Sequence, residues 1–222
     1  MRRFSYLVAA LSAIPAFSHD VITTNLTWNN EISRLVYRHC ASCHHPGGSA
    51  MSLLTYEDAR PWAKAIRNEV LKRRMPPFDA VKGVGEFRDD PSLSPPEMDL
   101  VVSWVEGGAP EGDPSAPPPK PVWRETRALP PSKARGLRVS HSLVLARPIT
   151  LYGIVPEGAL EVTACLPDQT VRRLIWIRDF RPRWNRAYVF RAPLPLPKGT
   201  RIMVYSASGA AAQLLTTRPP AP

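Results

Sequence analysis

Cys40, Cys43 and His44 form a Cys-x-x-Cys-His run near the N-terminal end of the chain. Two thiols three positions apart can each add to a haem vinyl group, and the histidine that follows is then held at the iron as an axial ligand. A Cys-x-x-Cys pair also occurs in redox-active dithiols and in zinc sites. The sequence has no second metal-ligand pair, and its remaining cysteine, Cys165, lies in a distant apolar segment typical of a buried hydrophobic residue. The run therefore predicts one covalent haem c.

The first 18 residues predict export, in agreement with the haem, which is attached outside the cytoplasm. Arg2 and Arg3 form a charged start, residues 6–14 an apolar core, and residues 16–18 a small-x-small cleavage site. We expect residues 1–18 to be a signal peptide and the mature protein to be periplasmic or otherwise exported, with an uncleaved N-terminal anchor as the alternative. No later stretch approaches the roughly 20 apolar residues of a membrane-spanning helix, so we expect no integral membrane span in the mature chain.

Charge divides the 222 residues into two unlike parts. Residues 19–116 contain 10 Lys and Arg against 14 Asp and Glu, whereas residues 117–222 contain 17 against 5. The net charges are −4 and +12, and Arg2 and Arg3 bring the total to the +10 of the whole chain. Closely spaced prolines between the two parts favour an extended spacer. We expect a haem domain at 19–109, a proline-rich linker at 110–131 and a basic domain at 132–222. Because neither half is long enough for a large core, the first should depend on its cofactor for folding.

Apolar residues at helical spacing predict three helices in the first part. Residues 29–38 form the first and lead directly into the Cys-x-x-Cys-His run, and residues 61–74 form the second. The third is delimited by a capping box at Ser94 and Glu97 and by a glycine stop at Gly107. We expect the first and last helices to cross beside the haem.

This part of the chain resembles the small class I, monohaem cytochrome c domain over residues 25–113. The resemblance is carried by the Cys-x-x-Cys-His run, by Met-Pro-Pro at 75–77 and by Trp-Val-Glu-Gly-Gly-Ala-Pro at 104–110. The last two stretches resemble the cytochrome c domains of larger bacterial oxidative proteins. The family implies a small helical fold and a distal methionine ligand on a loop.

Met75 is the candidate for that sixth ligand. A thioether is a soft ligand that suits the iron, and the two prolines after Met75 fix the backbone that presents it. Met51 follows His44 so closely that it would need a tight reversal of the chain, and Met98 lies in the opening turn of a helix. We expect both to be packing residues.

His39 and His45 flank the motif, and we expect both at the surface, pointing away from the iron. The His44 imidazole should donate its other ring N–H to a carbonyl, with Pro46 or a neighbour as acceptor. Three residues near the second helix are candidates for contact with the haem propionates, or else belong to a solvated helix end: Trp62, Arg73 and Arg74.

The second part predicts a small antiparallel β-sandwich. Its β-rich segments are separated by Pro, Gly and Asp turns: 138–145, 149–155, 160–166, 171–177, 186–191 and 200–205. Residues 160–190 and 194–202 resemble the C-terminal domain of copper type II, ascorbate-dependent monooxygenases. That family binds copper through a His-x-His pair and a methionine, whereas residues 151–154 contain no histidine, His141 stands alone and Met203 fits a strand core. We expect a degenerate domain without catalytic copper.

Seven arginines crowd residues 172–191, with Trp176, Phe180 and Trp184 between them. Basic residues among aromatic ones can bind nucleic acid, but an exported haem protein has little occasion to do so, and we expect no nucleic-acid partner. We expect instead a docking face for an acidic redox partner protein or an anionic membrane surface, with a merely soluble basic face as the alternative.

The sequence thus predicts an exported cytochrome that carries single electrons between redox partner proteins and is not itself an enzyme. His/Met ligation fills both axial positions of the iron and leaves no open site for oxygen or peroxide. The alternative is a haem component of an oxidative enzyme. It would be peroxidase-like if Met75 is not bound, and monooxygenase-like if the β domain contains an active site.

Overall fold

The computed structural model describes residues 25–123 and 136–217. The α-helices of these ranges lie between Ser33 and Glu106, and the β-strands lie between Leu137 and Leu215. The predicted order, helical and then β, is therefore confirmed. We call residues 25–123 the helical half and residues 136–217 the β half. The expected signal peptide and residues 124–131 of the expected linker lie outside the described residues.

The helical half begins with a π-helical turn, Trp28–Ile32, which continues into the first α-helix. Helix α2, Tyr56–Ala59, is separated from α3, Ala63–Leu71, only by a 3-10 turn, Arg60–Trp62. The helical segment predicted at residues 61–74 therefore starts before Pro61. Thr55 caps this start, because its hydroxyl accepts the Asp58 N–H at 3.1 Å. Helix α1 is Ser33–His39, and helix α4 is Pro95–Glu106.

Helix α4 starts at the predicted capping box. The backbone N–H and the hydroxyl of Ser94 both donate to the Glu97 carboxylate, at 2.8 and 2.7 Å. On the buried face of this helix, the Trp104 ring lies 6.1 Å from that of Trp28 in the first helical turn. The first and last helical segments therefore pack against each other as predicted.

Two four-stranded antiparallel sheets make up the β half. The strand order of the first is β1 (Leu137–Val139), β8 (Ala212–Leu215), β3 (Ile149–Pro156) and β6 (Tyr188–Leu196). The order of the second is β2 (Ser142–Val144), β7 (Arg201–Tyr205), β4 (Leu160–Cys165) and β5 (Val171–Ile177). The predicted segment 138–145 is two strands, one in each sheet, and β8 was not predicted. Leu151 and Ile154 of the first sheet share one hydrophobic core with Val162 and Ile202 of the second.

Residues 78–90, which we call the bridging segment, belong to the helical half but pack on the β half. Ala80 pairs with Ile177, and Phe87 pairs with Phe190. The Val81 N–H donates to the Trp176 carbonyl, and the Arg88 N–H donates to the Val189 carbonyl, both at 2.8 Å. Phe78, Ala80 and Phe87 are buried in the core of the β half. The bridging segment of the helical half is therefore part of the hydrophobic core of the β half.

The proline-rich stretch after α4 begins by packing on the start of the helical half. The Trp28 and Asn29 N–H groups donate to the carbonyls of Pro110 and Glu111 at 3.0 and 2.9 Å. These bonds satisfy two backbone donors of the opening helical turn that have no partner within the turn.

No helix of the described residues is long and apolar enough to cross a bilayer.

Candidate haem site

The Cys-x-x-Cys-His run forms a tight turn at the C-terminal end of α1. The Cys40 N–H donates to the Val36 carbonyl at 2.8 Å, and the Cys43 and His44 N–H groups both donate to the Cys40 carbonyl, at 3.1 and 2.9 Å. This turn places all three side chains of the motif on the wall of one cavity of about 610 Å³. That volume is within the range of small-molecule and cofactor sites.

The tautomer of His44 is fixed by a backbone carbonyl. Its Nδ1 lies 2.9 Å from the Met51 carbonyl oxygen, which can only accept, so Nδ1 carries the proton and Nε2 keeps its lone pair for a metal. The acceptor is not Pro46, whose carbonyl lies 3.0 Å from Nδ1 of His45 instead. The loop reverses sharply to bring Met51 back, with the Leu53 N–H donating to the His44 carbonyl at 3.2 Å.

Met75 lies on the wall of the same cavity and is 40% exposed. The backbone of Met75 is held by its N–H, which donates to the Glu69 carbonyl at 3.3 Å, and the Glu69 carboxylate pairs with Arg74. Met51 also lines the cavity, in contrast to its expected role as a packing residue. Met98 is not on this wall and packs against the helical core, as expected.

The Cys40 thiol is in an environment that favours its neutral form. Burial, with a smaller contribution from Cys43, raises the pKa of the Cys40 thiol to about 12. Cys40 also lies directly at the C-terminal end of α1, where the helix dipole disfavours a thiolate. A nucleophilic dithiol requires the opposite, a pKa below the ordinary value. The arrangement does not suit a redox-active dithiol.

His39 and His45 are buried, and the expectation that they lie at the surface is wrong. Nδ1 of His39 is 2.8 Å from the Pro91 carbonyl, and Nε2 is 3.1 Å from the Glu97 carboxylate. The His45 ring stacks on Trp123 at 5.1 Å. Both rings find partners far along the chain, which local spacing does not reveal.

The β half supplies part of the cavity wall, through a stretch that sequence reasoning assigned to partner docking. We call residues 181–186 the cavity loop; four of its members line the cavity: Arg183, Trp184, Asn185 and Arg186. The loop is anchored by Arg181, whose backbone N–H and guanidinium each donate to the Asp79 carboxylate at 2.9 Å. The Arg181 guanidinium also donates to the Arg73 carbonyl at 3.3 Å. Thus Arg73 engages the loop through its backbone, and Trp62 lies on the cavity wall.

The arginine cluster of residues 172–191 is divided between surface and interior. Arg172, Arg173, Arg178 and Arg191 are exposed, whereas Arg181 and Arg186 are half-buried. Two of the three interleaved aromatic rings have arginines of the same chain over them. Arg173 and Arg178 lie 5.2 and 5.9 Å from the Trp176 ring, and Arg181 and Arg183 lie 4.5 and 5.0 Å from the Trp184 ring. Phe180 packs against the core of the β half instead.

Leu151, in the stretch where a copper site would have required a histidine pair, is fully buried in the β core. His141 is exposed on the turn between β1 and β2, and its backbone carbonyl accepts the Val204 N–H at 2.7 Å. Met203 lies next to that pair and is half-buried, close to the Tyr205 hydroxyl. No group of three or more His, Cys, Asp and Glu side chains in residues 25–123 and 136–217 is arranged to hold a metal ion. An iron ligated by one His and one Met does not require such a group.

A comparison of the chain with protein-family models, with curated proteins and with solved structures gives no match. The cavity and the residues that line it are therefore the features of the chain that indicate a function.

Proposed function

We propose that this chain is an exported c-type cytochrome that holds one covalent haem and transfers single electrons between redox partner proteins. The observation that carries the proposal is the convergence of Cys40, Cys43, His44 and Met75 on one cavity of about 610 Å³. The first three are a haem-attachment motif, and the fourth supplies the thioether of a six-coordinate iron. The helical half would then have the class I cytochrome c arrangement, and the two sheets would form a β-sandwich.

Each residue has a distinct task in this proposal. Cys40 and Cys43 supply the thiols for the two thioether links, and His44, with Nδ1 bonded to the Met51 carbonyl, presents Nε2 to the iron. When bound, the iron supplies reversible one-electron exchange between its ferric and ferrous states. The chain would hold the His44 imidazole and the Met75 thioether on the wall of the cavity.

The choice of Met75 over Met51 is supported by the backbone. The carbonyl of Met51 bonds the ring of His44, which places that residue beside the proximal ligand. Met75 lies on the segment that follows α3, in a different part of the same cavity wall, and from there it would supply the thioether ligand of the iron. A filled sixth position favours electron transfer over chemistry on a bound small molecule.

The first experiment tests the covalent link. The full-length gene is expressed with its N-terminal segment in a bacterial host that attaches haem c, and the purified protein is treated with acidified organic solvent. Haem should stay with the unmodified protein and with Cys165→Ser, which changes a thiol outside the cavity. It should be extracted from the Cys40→Ser/Cys43→Ser variant. Covalent haem in that double variant would refute the assignment.

The second experiment tests the sixth ligand and separates the electron carrier from a haem enzyme. Met75→Ala should convert a six-coordinate, low-spin iron into one that binds carbon monoxide readily and has a lower potential. The matched variants Met51→Ala and Met98→Ala should keep the spectrum of the unmodified protein. An unmodified ferrous protein that binds carbon monoxide readily has an open site, and this result would favour the enzymatic alternative.

A further inference from the structure

Two consecutive residues of the cavity loop have buried polar atoms without partners. Asn185 Oδ1 and Arg186 Nε are inaccessible to solvent and have no hydrogen-bond partner in the described part of the chain. A buried polar atom without a partner costs about 1–3 kcal/mol, so a group that supplies the missing partner would stabilise the loop. Both residues line the cavity that contains the Cys-x-x-Cys-His turn. Arg186 is the member of the pair whose guanidinium can donate to an acceptor bound in the cavity, whereas Asn185 Oδ1 can only accept.

The charge of Arg186 is poorly compensated by the protein itself. Its neighbour in the loop, Arg181, is paired with Asp79 at 2.9 Å, whereas Arg186 takes part in none of the ion pairs within the described residues. Its guanidinium lies 5.4 Å from the centre of the Phe78 ring. Burial lowers the pKa of Arg186, opposed by the more distant charges of four groups: Tyr188, Asp89, Asp90 and Cys43.

The cavity loop is held in place before any ligand enters. Asp79 accepts two hydrogen bonds from Arg181, and the Trp184 N–H donates to the Arg181 carbonyl at 2.8 Å. Two guanidinium groups of the same loop lie within 5.0 Å of the centre of the Trp184 ring. A site whose donors are already fixed loses little entropy when its ligand binds.

We propose that Arg186, with Asn185 beside it, binds a propionate carboxylate of the haem, so that the β half completes the cofactor site of the helical half. This inference rests on the proposed function. A guanidinium binds a carboxylate through two charge-assisted hydrogen bonds, and the Asn185 amide can supply a further donor. Of the three residues expected to contact the propionates, Arg74 is paired with Glu69 and Arg73 does not line this cavity. The principal cation of the site therefore comes from the other half of the chain.

The test uses the full-length protein with haem attached and measures its reduction potential by spectroelectrochemical titration. Arg186→Gln removes one positive charge beside the cofactor and should lower the potential, because the ferric state gains more from that loss than the ferrous state. Arg172→Gln is the matched control, since it removes the same charge from the same half at an exposed position on β5 that does not line the cavity. It should leave the potential unchanged. Arg186→Lys keeps the charge without the planar fork and should recover part of the shift.

The outcomes distinguish the inference from the function on which it rests. Covalent haem in Arg186→Gln, with the same potential as Arg172→Gln, would overturn the inference and leave the cytochrome assignment intact. No covalent haem in the unmodified protein would refute the proposed function first. If Arg186→Gln does not fold, Arg186→Lys and Asn185→Ala provide the test. Resonance Raman spectra of both should then show altered propionate modes, and unchanged modes in both would overturn the inference.

Discussion

The ion pair between Asp79 and Arg181 should be the strongest single polar link between the two halves. The Asp79 side chain is 1% exposed and that of Arg181 is 23% exposed, so water screens the pair poorly. Burial raises the pKa of the Asp79 carboxyl, and the hydrogen bonds from Arg181 oppose that rise. The charged carboxylate is thus stabilised in the fold chiefly by its partner.

The expected loss of stability in Asp79→Ala follows from the contacts that this substitution removes. Asp79→Ala removes two hydrogen bonds of 2.9 Å to Arg181, one from the backbone and one from the guanidinium, and leaves that guanidinium without its carboxylate. Breaking a buried pair by removal of one partner costs about 3–5 kcal/mol. A domain of this size loses about 2–4 °C of melting temperature per kcal/mol. We therefore expect Asp79→Ala to melt roughly 6–20 °C lower than the unmodified protein.

The assay is a double-mutant cycle of Asp79→Ala and Arg181→Ala, followed by urea unfolding of the haem-loaded protein. The coupling energy should be about 2 kcal/mol, within the range found for directly contacting groups. Arg138 and Glu157 form the matched control, because they also make a forked pair but at 60% and 34% exposure. Their coupling should be clearly smaller, because water screens an exposed pair. Equal coupling energies in the two cycles would refute the reasoning that burial makes the Asp79–Arg181 pair stronger than an exposed pair.

Three further outcomes are expected. Although burial alone raises the pKa of Glu97, hydrogen bonds from Ser94 and His39 lower it from 4.5 to about 2. The carboxylate thus contributes stability above about pH 4.5 that is lost as the pH falls towards 2. Glu97→Gln should destabilise the protein by about 1–2 kcal/mol at pH 7 in thermal melts, with little difference left near pH 2. Protein loaded with copper and dialysed should contain iron only, and tight stoichiometric copper that disappears in His141→Ala would contradict this. Because charge attraction reaches only about 10 Å at 0.1 M salt, an exposed arginine face that docks an acidic partner should give salt-sensitive electron transfer from a periplasmic extract. Arg172→Gln/Arg178→Gln should reduce that sensitivity, and an unchanged salt slope would exclude these two residues from docking.

The candidate site could be predicted from sequence to the extent that it is local. Cys40, Cys43 and His44 belong to one turn, so their spacing alone brings them together. Met75 was found because Met-Pro-Pro is a recognisable run, although the cavity wall that it shares with His44 depends on the tertiary fold. The wall formed by Asn185 and its neighbours could not be predicted. It depends on a salt bridge between residues about 100 positions apart, and neither partner is distinctive by itself.

In the fold as well, local features could be predicted from the sequence, whereas features that depend on pairing between distant residues could not. The capping box of α4 is a four-residue pattern and was predicted correctly. The alternation of residues 138–145 continues through His141, where the chain passes from one sheet to the other, so two short strands gave the pattern of one. Strand β8 has no β-branched residue, and its sequence, Ala-Gln-Leu-Leu, is as typical of a helix. Only its pairing with β3 and β1 fixes it as a strand.

Because of the bridging segment, the helical half should not be stable when it is separated from the β half. Phe78 is 7% exposed and Phe87 is 4% exposed, and both are buried in the core of the β half. Exposing two such side chains costs about 3–6 kcal/mol, which is comparable to the whole stability of a small domain. A chain that ends at Pro117 should therefore be protease-sensitive in residues 78–90 and prone to aggregation, even with haem attached. Replacing both phenylalanines by serine in the truncated chain should reduce the aggregation without restoring stability. A truncated, haem-loaded protein that melts cooperatively at the temperature of the full-length protein would show that the helical half is stable without the β core, and that the shared core is not needed for its folding.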